Sequence, residues 1–445
     1  MNERTIAAVS TPQGTGGIAV IRISGADAVR IADSVFSASI KDAASHTVHY
    51  GYILDKDGGR LDEVLLTVIL APRTFTREDT VEISCHGGST ATRAVLNAVI
   101  EAGAYPAEPG EFTKRAFLNG RIDLSQAEAV IDVINAKNEL SRRNAVAQLG
   151  GTLSREIKSV RDALVHLSAE MQVIIDYPDE DLEDVTEGDI EEVCRCSAER
   201  IERLISSADG GRIIKEGIRC AIVGKPNVGK SSILNYLAQD ERAIVTDIAG
   251  TTRDVIEESV SIDGIPLILS DTAGIRETED TVEKIGVDKS MRYLDAADLV
   301  IVVTDAAAGL DDEDRAVLDA TKDKKRIVLV NKTDIADGNE ELGIAVSAAT
   351  GAGMDRLAAE ISRLCKIDEI SSENGAVITN MRHKAALITA RDALTRASDA
   401  LAAGMPSDIV SIDIAAAMDA LGEITGETVR DSVVDEIFHN FCVGK

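Results

Sequence analysis

The sequence predicts a multidomain fold: an α+β N-terminal domain, an all-α helical domain, and an α/β domain inserted into the helical one. The chain has 445 residues, which is too many for a single hydrophobic core. Alternating strand and helix signals fill its first part, whereas apolar residues at helical spacing fill two later blocks. A strand, a glycine-rich loop and a helix follow one another between those blocks, so we expect the α/β domain there.

The predicted boundaries follow these changes of pattern. We expect residues 1–118 to form the N-terminal α+β domain and residues 119–210 the first part of the helical domain. Residues 211–376 would form the inserted domain, and residues 377–445 would complete the helical one. Because the inserted domain joins helices at both of its ends, any movement within it would reach them.

Composition limits the function classes. The chain lacks an uncharged apolar run of membrane-spanning length and a signal-peptide core at its start, which predicts a cytoplasmic protein without a membrane association. Its six cysteines are dispersed, with no Cys-x-x-Cys pair, which argues against structural zinc and a disulfide framework. The net charge of −29 repels nucleic acid at long range, so RNA binding would need a local basic patch or a basic partner.

The N-terminal domain combines short β-type runs with helical stretches and shows no catalytic motif. The segment Cys85–Gly88 closes one strand and opens a helix, as either a weak anion site or a glycine-rich turn with a capping serine. The predicted strands are Thr5–Val9, Gly17–Ser24, Leu61–Ala71 and Thr80–Ser84, and the predicted helices are Ala26–Phe36 and Ser89–Gly103.

Long helices are predicted on both sides of the inserted domain. Ser125 to Glu128 reads as a capping box that starts the first of them, and Gly150-Gly151 separates it from the next. The further predicted helices are Leu153–Tyr177, Asp189–Ser207, Thr379–Leu401 and Ile409–Cys442.

The inserted domain contains a phosphate-binding loop at Gly224–Ser231, with the pattern Gly-x-x-x-x-Gly-Lys-Ser between an apolar strand and a helix. Gly224 and Gly229 allow backbone amides to face a polyphosphate, and Lys230 adds a positive charge. Ser231 would hold Mg²⁺ through its hydroxyl at the start of the helix.

Four further motifs follow in the order that a guanine-nucleotide switch requires. Thr251-Thr252 lies in a segment that can fold over the γ-phosphate, and Asp271–Gly274 ends a strand near the metal. Asp334, in Asn331–Asp334, can accept both the ring N–H and the exocyclic amine of guanine. Ser347–Ala349 can offer backbone amides to the base oxygen. The sequence therefore predicts an inserted α/β P-loop G domain that binds and hydrolyses GTP.

The predicted GTP-binding residues come from these five segments. They are Asn227, Val228, Gly229, Lys230, Ser231, Ser232, Thr246, Asp247, Ile248, Ala249, Gly250, Thr251, Thr252, Asp271, Thr272, Ala273, Gly274, Asn331, Lys332, Asp334, Ser347, Ala348 and Ala349.

Two positions refine the expected mechanism. Ile275 follows Asp271–Gly274, where many switch GTPases carry a glutamine that orients water; an apolar side chain cannot do this. Asn227 places an amide oxygen inside the phosphate loop, where it could ligate a monovalent cation beside the phosphates. Such a cation could neutralise charge that an arginine finger would otherwise neutralise.

With these motifs, and with Ile21–Gly25, Cys85–Gly88, Asn119–Leu124 and Phe441–Lys445, the chain resembles the MnmE (TrmE) family of tRNA modification GTPases along essentially its whole length. The resemblance implies K⁺-stimulated GTP hydrolysis that drives conformational change, and a homodimer formed through the N-terminal domain. It also implies a partnership with the FAD-containing protein MnmG, which together with this GTPase forms a 5-aminomethyl or 5-carboxymethylaminomethyl group on the wobble uridine of certain tRNAs.

The resemblance also implies individual site residues. By position, Glu283 would be the catalytic, water-positioning carboxylate, and Cys442 is a candidate nucleophile whose alternative is an inert thiol at a helix end. A one-carbon folate such as 5-formyltetrahydrofolate would be bound by Arg22, Glu82, Arg121 and Lys445. The implied K⁺ ligands are Asn227, Thr246, Ile248 and Thr251, and the implied Mg²⁺ ligands are Ser231 and Thr252.

A different function class remains open from the sequence. A regulatory GTPase in ribosome assembly would carry the same G motifs, with flanking domains that only bind RNA or protein. Its expected signature is a basic RNA-binding appendage, and the strongly acidic composition argues against one.

Overall fold

The structure, a computed structural model, describes residues 4–12, 14–176, 186–239, 257–262, 265–271, 294, 297–338, 340–365, 375–439, 441 and 443–444. It divides into two compact units that alternate along the chain. Unit 1 comprises residues 1–134, 145–198 and 389–445, and unit 2 comprises residues 135–144 and 199–388. The predicted domain boundaries remain predictions.

Unit 1 contains a six-stranded sheet with the order β3-β4-β5-β2-β1-β6. Neighbouring strands are antiparallel except for the parallel pair β1 and β6. Its strands are β1 (Ile6–Val9), β2 (Ile18–Ser24), β3 (Thr47–Leu54), β4 (Arg60–Ile69), β5 (Thr80–His86) and β6 (Tyr105–Pro106).

One face of this sheet is covered by helices. Because side chains alternate along a strand, Ile21 of β2 and Ile83 of β5 point toward the core. They are fully buried there with Ile31 of the helix Ala28–Val35 and Val95 of the helix Ser89–Glu101. The helices of unit 1 with all residues in that unit are Ala28–Val35, Ser89–Glu101, Glu111–Leu118, Thr152–Asp176, Ser407–Thr425 and Asp431–His439. Three more helices, Leu124–Asn135, Glu139–Leu149 and Glu187–Ser206, and the helix Met381–Ala402 include residues of both units.

Unit 2 is built on a second six-stranded sheet, with the order β12-β11-β10-β7-β9-β8. All neighbours are parallel except β8 and β9. Strands such as β10 are apolar almost throughout because both faces of a parallel sheet are covered. The strands are β7 (Ile218–Val223), β8 (Glu257–Ile262), β9 (Ile265–Asp271), β10 (Leu299–Asp305), β11 (Arg326–Asn331) and β12 (Ile344–Ala345), and the remaining helices are Ala208–Glu216, Lys230–Gln239, Asp312–Ala320 and Met354–Leu364.

The structure corrects three local predictions. The sequence reading missed β3, although β-branched or aromatic residues at every second position, Val48, Tyr50 and Tyr52, are typical of a strand. The single helix predicted for Ile409–Cys442 is two helices, since Gly426 ends the first with φ of +89°.

The capping box lies two residues earlier than predicted. Asp123 Oδ1 accepts the backbone N–H of Gln126 at 2.9 Å, and Gln126 Oε1 accepts the backbone N–H of Asp123 at 3.0 Å. The helix consequently begins at Leu124, with Ser125 already inside it. An aspartate and a glutamine therefore do what Ser125 and Glu128 were predicted to do.

No helix among the residues that the structure describes is both long enough and apolar enough to cross a membrane.

Candidate nucleotide-binding site and a second ligand site

The phosphate loop joins β7 to the helix Lys230–Gln239, as the sequence predicts. Gly224 has φ of +149°, and an added Cβ would lie 2.3 Å from the carbonyl oxygen of Val303 on β10. Gly229 has φ of +99°, and an added Cβ would lie 2.2 Å from Nδ2 of Asn331. Both glycines are therefore required by close approach as well as by backbone conformation.

The side chain of Lys230 folds back over this loop. Its Nζ donates hydrogen bonds to the carbonyl oxygens of Gly224 and Lys225, both at 2.7 Å. Asn227 takes the left-handed conformation, with φ of +64°, and is exposed. Ser231 and Ser232 are exposed in the first turn of the helix, where amide donors favour an anion. The loop and the first turn of its helix thus gather the ammonium of Lys230, two hydroxyls and one amide oxygen on a short segment.

Asn331 connects the phosphate loop to the predicted base-binding segments. Its side chain is buried; Nδ2 donates to the carbonyl oxygen of Val228 at 2.8 Å, and Oδ1 accepts the backbone N–H of Ala348 at 3.1 Å. The end of β11, the phosphate loop and the Ser347–Ala349 segment therefore meet at one amide group.

Asp334 and Lys332 are each held by a side chain from another segment. Ser347 Oγ donates to Asp334 Oδ1 at 2.6 Å, and Lys332 Nζ lies 2.6 Å from Oδ2 of Asp305 at the end of β10. The hydrogen bond from Lys332 lowers the pKa of Asp305, which stays ionised. The sequence reading missed Asp305; its position directly after an apolar strand was a weak signal, and its pairing with Lys332 depends on the neighbouring strands β10 and β11.

A second ion-pair cluster connects the phosphate loop to the helix Asp312–Ala320. Lys225 Nζ lies 2.7 Å from carboxylate oxygens of both Asp311 and Asp314. These two acids also form the capping box of the helix Asp312–Ala320. The hydrogen bond from Lys225 lowers the pKa of Asp311 to about 2, and the two acids raise the pKa of Lys225. The loop is thereby tied to the segment that follows β10.

Several predicted nucleotide-site residues lie outside the described residues. Asp271 ends β9, opposite Ile222 of β7 in the parallel register, so its backbone lies one strand from the phosphate loop. The predictions outside the described residues are Thr246, Asp247, Ile248, Ala249, Gly250, Thr251, Thr252, Thr272, Ala273, Gly274 and Glu283.

In unit 1 the structure brings together three of the four predicted folate-site residues. Arg22 and Glu82 face each other on β2 and β5, and their side chains form an ion pair at 2.8 Å. The guanidinium of Arg22 lies 6.0 Å from the centroid of the Phe75 ring, and that of Arg121 lies 5.2 Å from it. Arg121 also donates to the carbonyl oxygen of Thr74. Phe75 is therefore the shared contact that the sequence reading missed.

The chain end lies beside the end of β1, the strand that neighbours β2. Ser10 Oγ donates to the carbonyl oxygen of Gly444 at 3.0 Å, and an added Cβ on Gly444 would lie 2.2 Å from the carbonyl oxygen of Val9. In the antiparallel register of β1 and β2, Ala8 is opposite Arg22. Lys445 and Cys442, the other predictions at this end, lie outside the described residues.

The described fold and site define the class of protein to which this chain belongs. A phosphate loop after a central parallel strand, with Asn-Lys-Thr-Asp at the end of another strand of that sheet, is the arrangement of P-loop GTPases.

Comparison with known proteins identifies the family. The family model "MnmE helical domain" matches residues 124–442, and "GTP-binding protein TrmE N-terminus" matches residues 5–121. The chain is 49% identical over 456 residues to a tRNA modification GTPase MnmE of Acetivibrio thermocellus, covering 100% of this chain and 99% of the relative. It is 46% identical over 452 residues to the protein of that name from Lactobacillus helveticus, covering 99% and 98%.

The chain therefore belongs to the MnmE family of tRNA modification GTPases. The family resemblance, the multidomain fold class and the prediction of a GTP-hydrolysing enzyme in tRNA modification are confirmed. Among solved structures, an Aquifex aeolicus Era bound to GDP and aluminium fluoride is 28% identical, covering 39% of this chain and 65% of that chain, with a TM-score of 0.26.

Proposed function

We propose that this chain binds GTP between its phosphate loop and the Asn331–Asp334 segment and hydrolyses it there. The observation that carries the proposal is the bridge at Asn331, whose amide binds both Val228 and Ala348. The segment proposed to bind the triphosphate and the segments proposed to bind the base are thereby held in fixed positions relative to each other. Oδ1 of Asp334 is positioned by Ser347, and a carboxylate can accept the two donors that guanine presents.

The phosphates would be bound by the loop amides and by Lys230, whose ammonium already lies over the loop. Ser231 and Thr252 would hold Mg²⁺, with Asp271 at the end of β9 near its outer shell. Hydroxyl and carboxylate oxygens are hard donors, which suit this ion. When bound, Mg²⁺ supplies neutralisation of charge on the phosphate oxygens. Glu283 would orient the attacking water, since Ile275 cannot.

We further propose K⁺ stimulation through Asn227, Thr246, Ile248 and Thr251. The exposed left-handed Asn227 supports this proposal because it carries a neutral acceptor within the phosphate loop. GTP turnover by the full chain should rise at least about fivefold when Na⁺ is replaced by K⁺, an increase expected of added charge neutralisation near the γ-phosphate. Asn227→Ala should remove that response. Equal turnover of the wild-type chain in both salts would refute it.

In unit 1 we propose a site for 5-formyltetrahydrofolate or a related one-carbon folate, formed by Arg22, Glu82, Arg121 and Lys445. The ion pair of Arg22 with Glu82 and the shared Phe75 ring support it. A carboxylate can read the donor edge of a pterin, guanidinium groups suit the glutamate tail, and an aromatic ring can stack on a flat heterocycle.

We propose that the chain is a homodimer through the N-terminal domain. The face of the unit 1 sheet opposite the helices Ala28–Val35 and Ser89–Glu101 exposes Ile18, Val48, Tyr50 and Leu65, each by 48% or more. Strand register places them on the face that also carries Arg22 and Glu82. A contiguous apolar face of this kind is suited to a second copy. Tyr50→Glu should raise the concentration at which dimers dissociate in sedimentation, whereas Tyr105→Glu, an exposed tyrosine on β6, should not.

Finally, we propose that hydrolysis drives a conformational change during modification of the tRNA wobble uridine at C5, together with MnmG. Family membership is the support for this step. Mass spectrometry of tRNA nucleosides from a deletion strain should show the unmodified wobble uridine, restored by the wild-type gene but not by a Lys230→Ala variant. Unchanged wobble uridine, together with co-sedimentation of the chain with ribosomal particles, would instead favour a role in ribosome assembly.

A further inference from the structure

We propose that Asp305 is a positioning residue for purine recognition, acting through Lys332. The inference rests on the proposed GTP site and adds to it a residue that lies outside every nucleotide-binding motif. Asp305 is the last residue of β10, and in the parallel register it lies opposite Asn331 of β11. It therefore stands at the sheet edge where the base-binding segment begins.

The contacts of Asp305 fix its carboxylate from two sides. Oδ1 accepts the backbone N–H of Ala307 at 2.9 Å, and Oδ2 lies 2.6 Å from Nζ of Lys332. The side chain of Asp305 is only 14% exposed, whereas that of Lys332 is 32% exposed. The ammonium of Lys332 is thus held by a fixed, mostly buried carboxylate. The conformation of the apolar methylene chain of Lys332 is therefore constrained at the backbone and at the ammonium.

The backbone conformation of Lys332 also indicates that its side chain is held in one orientation. Lys332 has φ of +66°, a conformation that a long side chain rarely adopts and that persists where surrounding contacts over-determine it. The carbonyl oxygen of Lys332 accepts the N–H of Ile335 at 3.0 Å, and the adjacent Asn331 is held by Val228 and Ala348. The backbone and the ammonium of Lys332 are therefore both fixed. The methylene chain between them forms an ordered apolar surface two residues before Asp334.

A preformed apolar stem next to the guanine-reading carboxylate can pack against the flat face of a purine. Without Asp305, the ammonium would lose its anchor and the stem would sample other rotamers, which must be ordered again when the base binds. This loss of order weakens binding of the base in the ground state, and it does not act at the phosphates where hydrolysis occurs. Asp305 should consequently affect nucleotide affinity and KM, with little effect on kcat.

The test measures fluorescent GDP binding and steady-state GTP hydrolysis by the full chain. Asp305→Ala should weaken GDP binding about tenfold, the loss expected for a hydrogen bond to a charged group, and raise KM while kcat changes less than about twofold. In a Lys332→Ala background, Asp305→Ala should weaken binding by less than about twofold, because the two residues act as one unit. Asp305→Glu, which keeps the charge, should recover part of the affinity.

Asp319→Ala is the matched control, since this exposed acid of the same unit lies 3.9 Å from Lys322 and should leave GDP binding unchanged. If Asp305→Ala does not fold, the isosteric Asp305→Asn carries the same comparison. Unaltered affinity in the single variants, or full additivity with Lys332→Ala, would overturn the inference. Failure of the wild-type chain to bind GDP would instead overturn the proposed GTP site.

Discussion

The nucleotide site of unit 2 and the candidate folate site of unit 1 are built in opposite ways. In the nucleotide site most of the described binding groups lie in three short segments, Asn227–Ser232, Asn331–Asp334 and Ser347–Ala349, and the side-chain amide of Asn331 contacts the other two segments. In the candidate folate site the residues come from two strands and two loops, and only strand register places Arg22 opposite Glu82. Backbone geometry dominates the first site, whereas side-chain pairing dominates the second.

This difference predicts how each site should fail. A substitution in the phosphate loop should disturb backbone positions that many donors share, whereas one in the folate site should remove one partner and leave the sheet intact. The Gly229 and Glu82 variants should therefore be tested against both the nucleotide and the folate.

The largest effect is expected for Gly229→Ala. Its Cβ would lie 2.2 Å from Nδ2 of Asn331 in a backbone conformation with φ of +99°, so both the loop and the asparagine bridge must shift. Backbone strain of this kind and a broken bridge should weaken GDP binding about 100-fold, as measured by titration.

Gly309→Ala is the matched control for that strain. Gly309 also has a positive φ, of +68°, but open space surrounds its would-be Cβ. We expect little change in GDP affinity for this variant, and unchanged folate binding for both. Equal losses for the two alanine variants would show that left-handed strain alone, without the clash, accounts for the effect.

The second effect concerns unit 1. Glu82→Ala removes the carboxylate that pairs with Arg22 at 2.8 Å, and it should weaken binding of 5-formyltetrahydrofolate about 30-fold, within the range for charged hydrogen bonds. GTP hydrolysis should remain at the wild-type rate. Isothermal titration measures the first quantity, and phosphate release the second.

Glu101→Ala, at the end of the helix Ser89–Glu101, removes an exposed acid of the same unit and serves as the control. A wild-type folate affinity in the Glu82→Ala chain would disprove the assignment of this carboxylate to the ligand site.

The same contrast explains what the sequence could predict. Contiguous motifs such as Gly224–Ser231 require their residues at fixed spacing for a local reason, so they were identified without a structure, and the described loop has the predicted turn and helix. Phe75 and Asp305 belong to no such spacing. Phe75 contacts Arg22 and Arg121 only because a loop returns across the sheet, and Asp305 meets Lys332 only because β10 and β11 are neighbours.

Local structure was misread where two local signals competed. Ser125 and Glu128 satisfy a capping pattern, but Asp123 and Gln126 satisfy it equally, and the structure uses the second pair. Gly426 carried the information that a helix ends, yet the apolar spacing on both of its sides suggested continuity.

The smallest effect concerns the ion pairs that Lys225 of the phosphate loop forms with Asp311 and Asp314. Lys225 lowers the pKa of Asp311 to about 2 from an ordinary value of 3.8. A carboxyl whose pKa is lower in the folded chain adds stability above its unfolded pKa and loses it as pH falls through the folded value. Asp311→Asn should therefore lower the unfolding temperature at pH 7 by no more than about 3 °C, because the Asp311 side chain is 57% exposed and solvent screens its ion pair.

The difference in unfolding temperature between Asp311→Asn and the wild-type chain should shrink as pH falls from near 3.8 toward 2, the interval between the two pKa values. Circular dichroism measured during heating at several pH values follows it. Asp312→Asn, at a fully exposed neighbouring acid whose carboxylate lies 3.5 Å from Arg315, controls for loss of one charge. A difference near zero at every pH in this interval would mean that Asp311 stabilises the loop only through the capping hydrogen bonds it accepts from the backbone N–H groups of Glu313 and Asp314, which an asparagine also accepts, and not through Lys225.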